Sequence, residues 1–442
     1  MAPTMMTEQD VRRVQRRTVA LLGTAQVFGG IGTGATVSIG SILAVDLSGS
    51  NAWAGAVATV MTLGAALAAI PLASLADRRG RRAGQVTGML AAFAGAVLMV
   101  LSVVLAAFPL LVLGAAGIGA GTAANLQARF AAVDLAEAEH RGRALATVVW
   151  AVTLGAVAGP NLIQPGAAVG LALGLPAVAG PFVISGAGLL IAVILVFAGL
   201  RPDPLLLARE LAARTTAGDS AMPGAAPGGR LRRGLRAIRA SRPAVLAVSA
   251  IVGAHAVMVG VMSMTPVHLQ HLVEGPGASH AGHAAEGGVL VIIGFTISLH
   301  IAGMFALSPV MGWLTDKAGR TETIMLGFAV LIAGVAVAGF GEDSTTAVAV
   351  GLVLLGLGWS ASTVAGSTLL AESVGQDARV AVQGVSDMLM GAAGAIGGAA
   401  SGLVLSGTGY FGLNMLAAAV AAGVLAAASV TTISARRRSA AA

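Results

Sequence analysis

Six of the seven histidines stand between positions 255 and 300: His255, His268, His271, His280, His283 and His300. Met258, Met262, Met264 and Met304 fall in the same region. Met258 and Met262 are spaced i, i+4, as are His300 and Met304, so on a helix each pair shares one face. Thioether and imidazole together suit a soft cation, Cu(I) above all, and a thioether binds without losing a proton. The same spacing serves plain apolar packing for Met258 and Met262, and a hydrogen-bonded or proton-carrying role for His300. Asp387 and Arg129 are charged residues inside otherwise apolar stretches, and ionisable groups at such depth are functional candidates. Both are candidates for proton coupling; an ion pair is the alternative for Asp387, and a structural role for Arg129. Asn125, Gln127, Asn161 and Gln164 could line a substrate cavity or make interhelical hydrogen bonds.

These side chains need elements to hold them, and the composition says which kind. Of 442 residues, 56% are hydrophobic and only 10% charged, with 62 Gly and no Cys. A soluble domain carries about 25% charged residues, so much of this surface must face lipid. Twelve apolar stretches, at 18–45, 53–76, 84–107, 109–133, 144–166, 176–199, 243–266, 288–311, 322–341, 346–370, 380–406 and 410–434, are each long enough to cross about 30 Å of hydrocarbon. Backbone groups in lipid must be paired, and the alternation of a closed barrel is absent, so these stretches are helices.

The arginines orient them. Of 26 Lys and Arg, 25 lie before the first stretch, in even-numbered loops or after the last, and the odd-numbered loops have none. Both termini are therefore expected in the cytoplasm, in an inner or plasma membrane. That one-sided pattern, rather than the pI of about 11.3, is informative, and nucleic acid is not expected as a partner. The polar, basic start MAPTMMTEQDVRRVQRR has no signal-peptide pattern and is expected to stay attached. The expected organisation is a cytoplasmic N-terminus (1–17), a six-helix bundle (18–199), a cytoplasmic linker (200–242), a second six-helix bundle (243–434) and a cytoplasmic C-terminus (435–442). In the linker, RLRRGLRAIRASR has the makings of a basic amphipathic helix on anionic lipid, with a solvated linker as the alternative.

The two halves repeat. ASLADRRGRR at 73–82 and GWLTDKAGRT at 312–321 place Asp77 and Asp316 239 residues apart, and the same offset aligns Gly117 with Gly356 and Gly119 with Gly358. This resembles the major facilitator superfamily, marked by a G-x-x-x-D-[RK]-x-G-[RK] loop after the second helix and a weaker copy after the eighth. Here Ala73 replaces the first Gly of the first copy, while Gly312, Asp316, Lys317, Gly319 and Arg320 complete the second. The resemblance implies an all-α polytopic membrane protein with twelve transmembrane helices in two bundles related as parallel repeats. It also implies a gate formed by Asp77, Arg78, Gly80 and Arg81 with their counterparts. Each aspartate would sit against the positive end of a helix from the other bundle, its basic neighbours pairing with acidic loop residues or lipid.

Within the superfamily, Met258-Val-Gly-Val-Met262 running into Thr265-Pro266, and His300-Ile-Ala-Gly-Met304, resemble helices seven and eight of copper importers that supply cytochrome oxidase assembly. Those residues would then be copper ligands, although riboflavin and other transporters look similar there. Counted from the basic ends at about 1.5 Å per residue, His255 and His300 lie roughly 18 Å deep, Met258 about 22 Å, Met262 about 28 Å and Met304 about 12 Å. One ion cannot reach them all, and a ladder fed by the outer histidine loop is the expectation. Gly155-Ala-Val-Ala-Gly159-Pro160 resembles part of an antiporter element, which favours proton-coupled export of drug-like or small organic compounds instead.

No H-E-x-x-H, G-x-S-x-G or G-x-x-x-x-G-K-[ST] occurs, so enzymatic chemistry and ATP hydrolysis are not expected. The reading is a secondary transporter with copper as cargo and no resident cofactor. Its expected partners are the bilayer and a small solute or metal ion, and it is expected to be monomeric. Export of organic compounds is the first alternative and a non-transporting sensor or scaffold the second.

Overall fold

A computed structural model describes residues 7–49, 53, 56–161, 163–215, 227–274 and 287–441. Its long elements are helices α1 (Glu8–Ser48), α2 (Ala56–Arg79), α3 (Arg81–Val104), α4 (Phe108–Ala131), α5 (Arg141–Asn161), α6 (Ile163–Ala172) and α7 (Gly180–Gly199). Then come α8 (Pro204–Thr215), α9 (Pro227–Ala240), α10 (Arg242–Glu274), α11 (Gly287–Phe305), α12 (Ser308–Ala318), α13 (Arg320–Phe340), α14 (Thr345–Glu372) and α15 (Gln376–Ala441). Helix occupies each of the twelve expected stretches. Nine runs among the described residues are long and apolar enough to cross a membrane. One of them holds the last two stretches, which α15 joins across a non-helical residue at Gly409.

Two details depart from the sequence reading. The eighth stretch is divided between α11 and α12, where Ser308 turns its hydroxyl onto the Phe305 carbonyl at 2.7 Å. The linker contains two helices: α9 is the basic amphipathic helix weighed for RLRRGLRAIRASR, whereas α8 departs from the reading, its start set by RPDP, which supplies an N-cap Asp with Pro at the first helical position.

The chain forms two compact units. The first comprises residues 1–241 and 371–388; the second comprises 242–370 and 389–442. In the first, α3 packs on α4 and α4 on α2, with Leu111, Ala115, Ile118 and Met99 in the core. Glycine permits the approach: a Cβ on Gly95 would lie 2.6 Å from the Gly114 carbonyl oxygen, closer than any side chain tolerates. The core of the second unit gathers Phe328, Leu331, Val335, Leu352 and Leu355 with Met258 and Met304.

The repeat persists in space with a slip. Gly334 meets the Gly351 carbonyl as Gly95 meets that of Gly114, and Gly356 meets the His300 carbonyl as Gly119 meets that of Met61. Gly95 and Met61 therefore correspond to residues 239 further on, whereas Gly114 and Gly119 correspond to residues 237 further on. The pairings of Gly117 with Gly356 and Gly119 with Gly358 are thus corrected by two residues, since α13 is three residues shorter than α3 and the turn after it one residue longer. His300 occupies the place that Met61 has in the first unit.

Candidate functional site

At the arginine-bearing end of the first unit, Gly80 and Arg81 join α2 to α3. Gly80 has φ 90°, ψ 166°, a region open essentially to glycine, and a Cβ there would run into the Asp203 carboxylate. Asp203 accepts from the Arg82 amide at 2.8 Å and from the Leu205 and Leu206 amides at 3.1 and 3.3 Å, capping α3 and α8 with one side chain. Gly319 repeats the conformation at φ 112° with Glu322 beside it. These glycines hold the turn that presents each motif's basic residues.

Arg81 is 1% exposed. Its Nε donates to Asp134 Oδ2 at 2.7 Å, and its Nη2 to Asp134 Oδ1 at 3.1 Å and Gln383 Oε1 at 2.7 Å. Asp77 pairs with Arg209 of α8, in the linker. Asp77 also lines, with Ala381, Gly384 and Val385, a gap of about 10 Å³ against the first turns of α15. Arg78 lies exposed on the last turn of α2. Nearby, Arg141 reaches Glu372 at 3.4 Å.

In the second copy, Gly312 is buried in α12, and Asp316 lies 3.8 Å from Arg320 one turn on. Arg320 donates to the Thr315 carbonyl at 3.1 Å, and Lys317 covers the Trp313 ring at 5.4 Å.

Arg129 and Asp387 come together. Arg129 Nη2 donates to Asp387 Oδ1 at 2.5 Å, and both side chains are almost wholly buried. Asp387 Oδ2 and Arg129 Nε have no hydrogen-bond partner among the described residues. The pair unites the ion-pair role weighed for Asp387 with the structural role weighed for Arg129. Gln127 is buried and spends its amide on the Ala69 carbonyl at 2.9 Å, an interhelical use rather than a cavity-lining one. Asn125 accepts at its backbone oxygen from Gln26 at 2.8 Å and lies against Gly29 of α1. The side chains of Asn161 and Gln164 lie outside the described residues.

The histidine and methionine positions belong to the second unit. His300 is fully buried and its Nδ1 is 2.7 Å from the Leu352 carbonyl oxygen. A carbonyl only accepts, so Nδ1 carries the proton and Nε2 keeps a lone pair with no partner among the described residues. His255 Nδ1 accepts from Trp359 Nε1 at 3.2 Å, and Phe305 meets the same indole edge to face at 5.6 Å. Met258 and Met304 are buried in the apolar core, and Met262 and Met264 pack on its margin. This is the apolar packing weighed for Met258 and Met262. Towards the other end of α10, His268 stacks on Tyr410 at 3.9 Å and bonds the Glu342 carbonyl at 2.8 Å, while His271 is exposed. His280 and His283 lie outside the described residues.

The family sequence model described as Major Facilitator Superfamily matches residues 22–297 and 287–441. The chain belongs to that superfamily. It is 34% identical over 407 residues, 92% of its own length and 89% of the other's, to the uncharacterized MFS-type transporter YdeG of Bacillus subtilis (strain 168). It is 26% identical over 421 residues, 93% and 94% of the two chains, to the riboflavin transporter RfnT of Brucella anthropi. Among solved structures, that of the human organic anion transporter MFSD10 is similar with a TM-score of 0.68 at 14% identity, covering 94% of this chain and 99% of that one. The superfamily fold is thus the fold of this chain, a multi-pass helical membrane protein, and its relatives are transporters, not enzymes.

Sequence reasoning found Asp77, Arg81, Arg129 and Asp387 but missed Asp134, Asp203, Arg209, Gln383 and Trp359. Asp203 had a signal in the RPDP helix start. Arg209 and Gln383 had none, because their roles depend on which helices become neighbours.

Proposed function

We propose that the chain is a secondary active transporter of the plasma membrane, both termini cytoplasmic, that moves a small organic solute by alternating access. Protons loading and unloading at Asp387 drive it. The observation that carries the reading is the buried Arg129–Asp387 pair at 2.5 Å. A carboxylate removed from water is costly unless paired, and removing one partner's charge leaves the other uncompensated. Protonation of Asp387 does that reversibly. It loosens the first turns of α15 from α4 and lets substrate binding decide which arrangement is favoured.

The second unit supports an organic cargo. His255, Trp359 and Phe305 form an aromatic group in which His255 and Phe305 are half-buried, suited to a planar solute with polar edges. The relative RfnT makes riboflavin the first probe. The test uses protein reconstituted in liposomes, measuring labelled riboflavin uptake under a pH gradient and in counterflow without one. Asp387→Asn should abolish the gradient-driven uptake and retain counterflow; gradient-driven uptake equal to wild type would sink the coupling role. Asp77→Asn, correctly inserted yet inactive in both assays, argues for a gate and against a non-transporting scaffold.

Copper is the second reading, favoured by the unpartnered His300 Nε2, since a histidine whose other nitrogen donates to a carbonyl is oriented for a metal. Accumulation of Cu(I) by wild type, lost in His300→Ala and Met262→Ala, with no riboflavin movement, would establish it.

A further inference from the structure

The linker helix α9 has a single apolar face. Leu231, Gly234, Leu235 and Ile238 recur every turn and share it; Gly234 and Ile238 are buried and the two leucines half-buried. In the structure that face is taken by the first unit itself. A Cβ on Gly234 would lie 2.7 Å from Val385 Cγ2 and 2.9 Å from the Ala381 carbonyl oxygen, so α9 comes up against the backbone of the first turns of α15. Leu231 lies with Ala73 and Asp77 of α2 along the gap of about 10 Å³. The second apolar stretch ends at residue 76, between those two, so α9 docks at the level where α2 leaves the hydrocarbon. The arginines of α9 take no part in this contact. The helix contains Arg230, Arg232, Arg233, Arg236 and Arg239 and no acidic residue. Among the described residues, Arg232, Arg236 and Arg239 are exposed and make no ion pair or hydrogen bond. These three form a second stripe, about 100° round the helix from the apolar one. Cations on the flank of an apolar face, rather than behind it, stand at headgroup height when that face meets acyl chains.

From this arrangement we infer that α9 is a membrane-surface element whose partner is an anionic leaflet, and that the leaflet competes with the first unit for its apolar face. One face cannot serve both. On zwitterionic lipid the arginines gain little, and α9 stays on α2 and α15, covering Ala381 and Val385. On anionic lipid each of the three arginines favours the leaflet by about fivefold, on the order of a hundredfold together, and α9 exchanges the helix contact for the bilayer. A soluble phosphate would meet the arginines but offer the apolar face nothing, so the leaflet is the partner assigned. The exchange depends neither on the cargo nor on the titration of Asp387.

The chain has no Cys, so Ala237→Cys in the full chain takes a single fluorophore at a half-buried position of α9. The label is read in nanodiscs that hold a fixed fraction of nitroxide-bearing phosphatidylcholine. Replacing the remaining phosphatidylcholine by phosphatidylglycerol should increase quenching and speed amide exchange over 381–385. Arg232→Gln with Arg236→Gln and Arg239→Gln should lower the ratio of bilayer-held to docked α9 on the order of a hundredfold and so remove both changes. Arg13→Gln with Arg16→Gln and Arg17→Gln removes the same charge from α1 and should leave them intact. Gly234→Leu keeps every arginine and obstructs docking, so quenching should rise at a lower phosphatidylglycerol content. Equal quenching in the two lipids, equal loss in the two triple variants, no shift in Gly234→Leu, or increased quenching when inorganic phosphate is added to phosphatidylcholine discs would each overturn the assignment. Quenching that rises while exchange over 381–385 stays constant would show that α9 meets lipid without leaving α15, and would overturn the competition.

Discussion

Arg81 makes the largest demand of any single side chain in the first unit. A guanidinium taken out of water needs its donors met, and Asp134 meets two of them in the bidentate geometry that suits a carboxylate while Gln383 takes a third. Arg81→Gln should therefore cost about 3–5 kcal/mol of unfolding free energy, because it strands the Asp134 carboxylate. Arg81→Gln combined with Asp134→Asn should cost less than the two single changes added, since no unpaired charge remains. Denaturant titration in detergent measures both, and strict additivity would count against the pair. The glycines beside the two motifs make a second comparison. Gly80→Ala and Gly319→Ala meet similar backbone strain, about 1–3 kcal/mol. The Asp203 carboxylate facing Gly80 is pinned by three amides, whereas Glu322 facing Gly319 is a longer side chain that can swing away. Gly80→Ala should therefore lower the unfolding midpoint more than Gly319→Ala, and the reverse order would show that backbone strain alone governs both sites.

Elements inherit these constraints at their ends. Asp203 begins α8 and also holds the start of α3, so Asp203→Ala should cost about 1–2 kcal/mol and speed amide exchange at Arg82, Leu205 and Leu206 together, while Asp203→Asn should restore most of the protection. Exchange that rises in α8 alone would remove the link to α3. At the start of α1, Thr7 and Asp10 cap reciprocally: the Thr7 hydroxyl and amide donate to the Asp10 carboxylate at 2.7 and 3.0 Å, and the Asp10 amide donates back at 3.3 Å. The Thr7 hydrogen bonds hold the Asp10 carboxyl below its ordinary range. A carboxyl lowered in the folded state contributes stability that is complete above its unfolded value and disappears as pH falls through the folded one. The first turn of α1 should therefore stay protected at neutral pH and fray only below the usual carboxylate range, which amide exchange at Asp10 and Val11 can follow. Asp10→Asn should abolish the pH dependence. Helix positions were legible in the sequence because apolar runs of this length leave the backbone one way to satisfy itself. The break after Phe305 was not, because a run that stays apolar through an interruption carries no hydropathy signal for it.

For the whole molecule, a twofold repeat of helices and a one-sided distribution of arginine were enough to reach the superfamily, since both follow from covalent order. The site was only half legible: Arg129 and Asp387 were visible as charges in apolar surroundings, but that they pair depends on α4 meeting α15 across more than half the chain. The methionine pairs were ambiguous for the complementary reason, because helical spacing serves a core and a ligand ladder alike. The division into units adds a consequence, as it falls within α15, after Met388. Residues before that point are held to the first unit by the Arg81–Gln383 and Arg129–Asp387 contacts and by Gly384 against Ala73. Residues after it pack in the second unit, Gly394 against His255 among them. One continuous helix should thus show two levels of protection that respond to different mutations. In Arg129→Gln with Gln383→Leu, amide exchange over 377–388 should accelerate while 390–405 stays as in wild type; His255→Ala should do the opposite. If either variant accelerates exchange uniformly along α15, the helix opens as one body, and the release of its first turns assigned to Asp387 protonation has no structural basis.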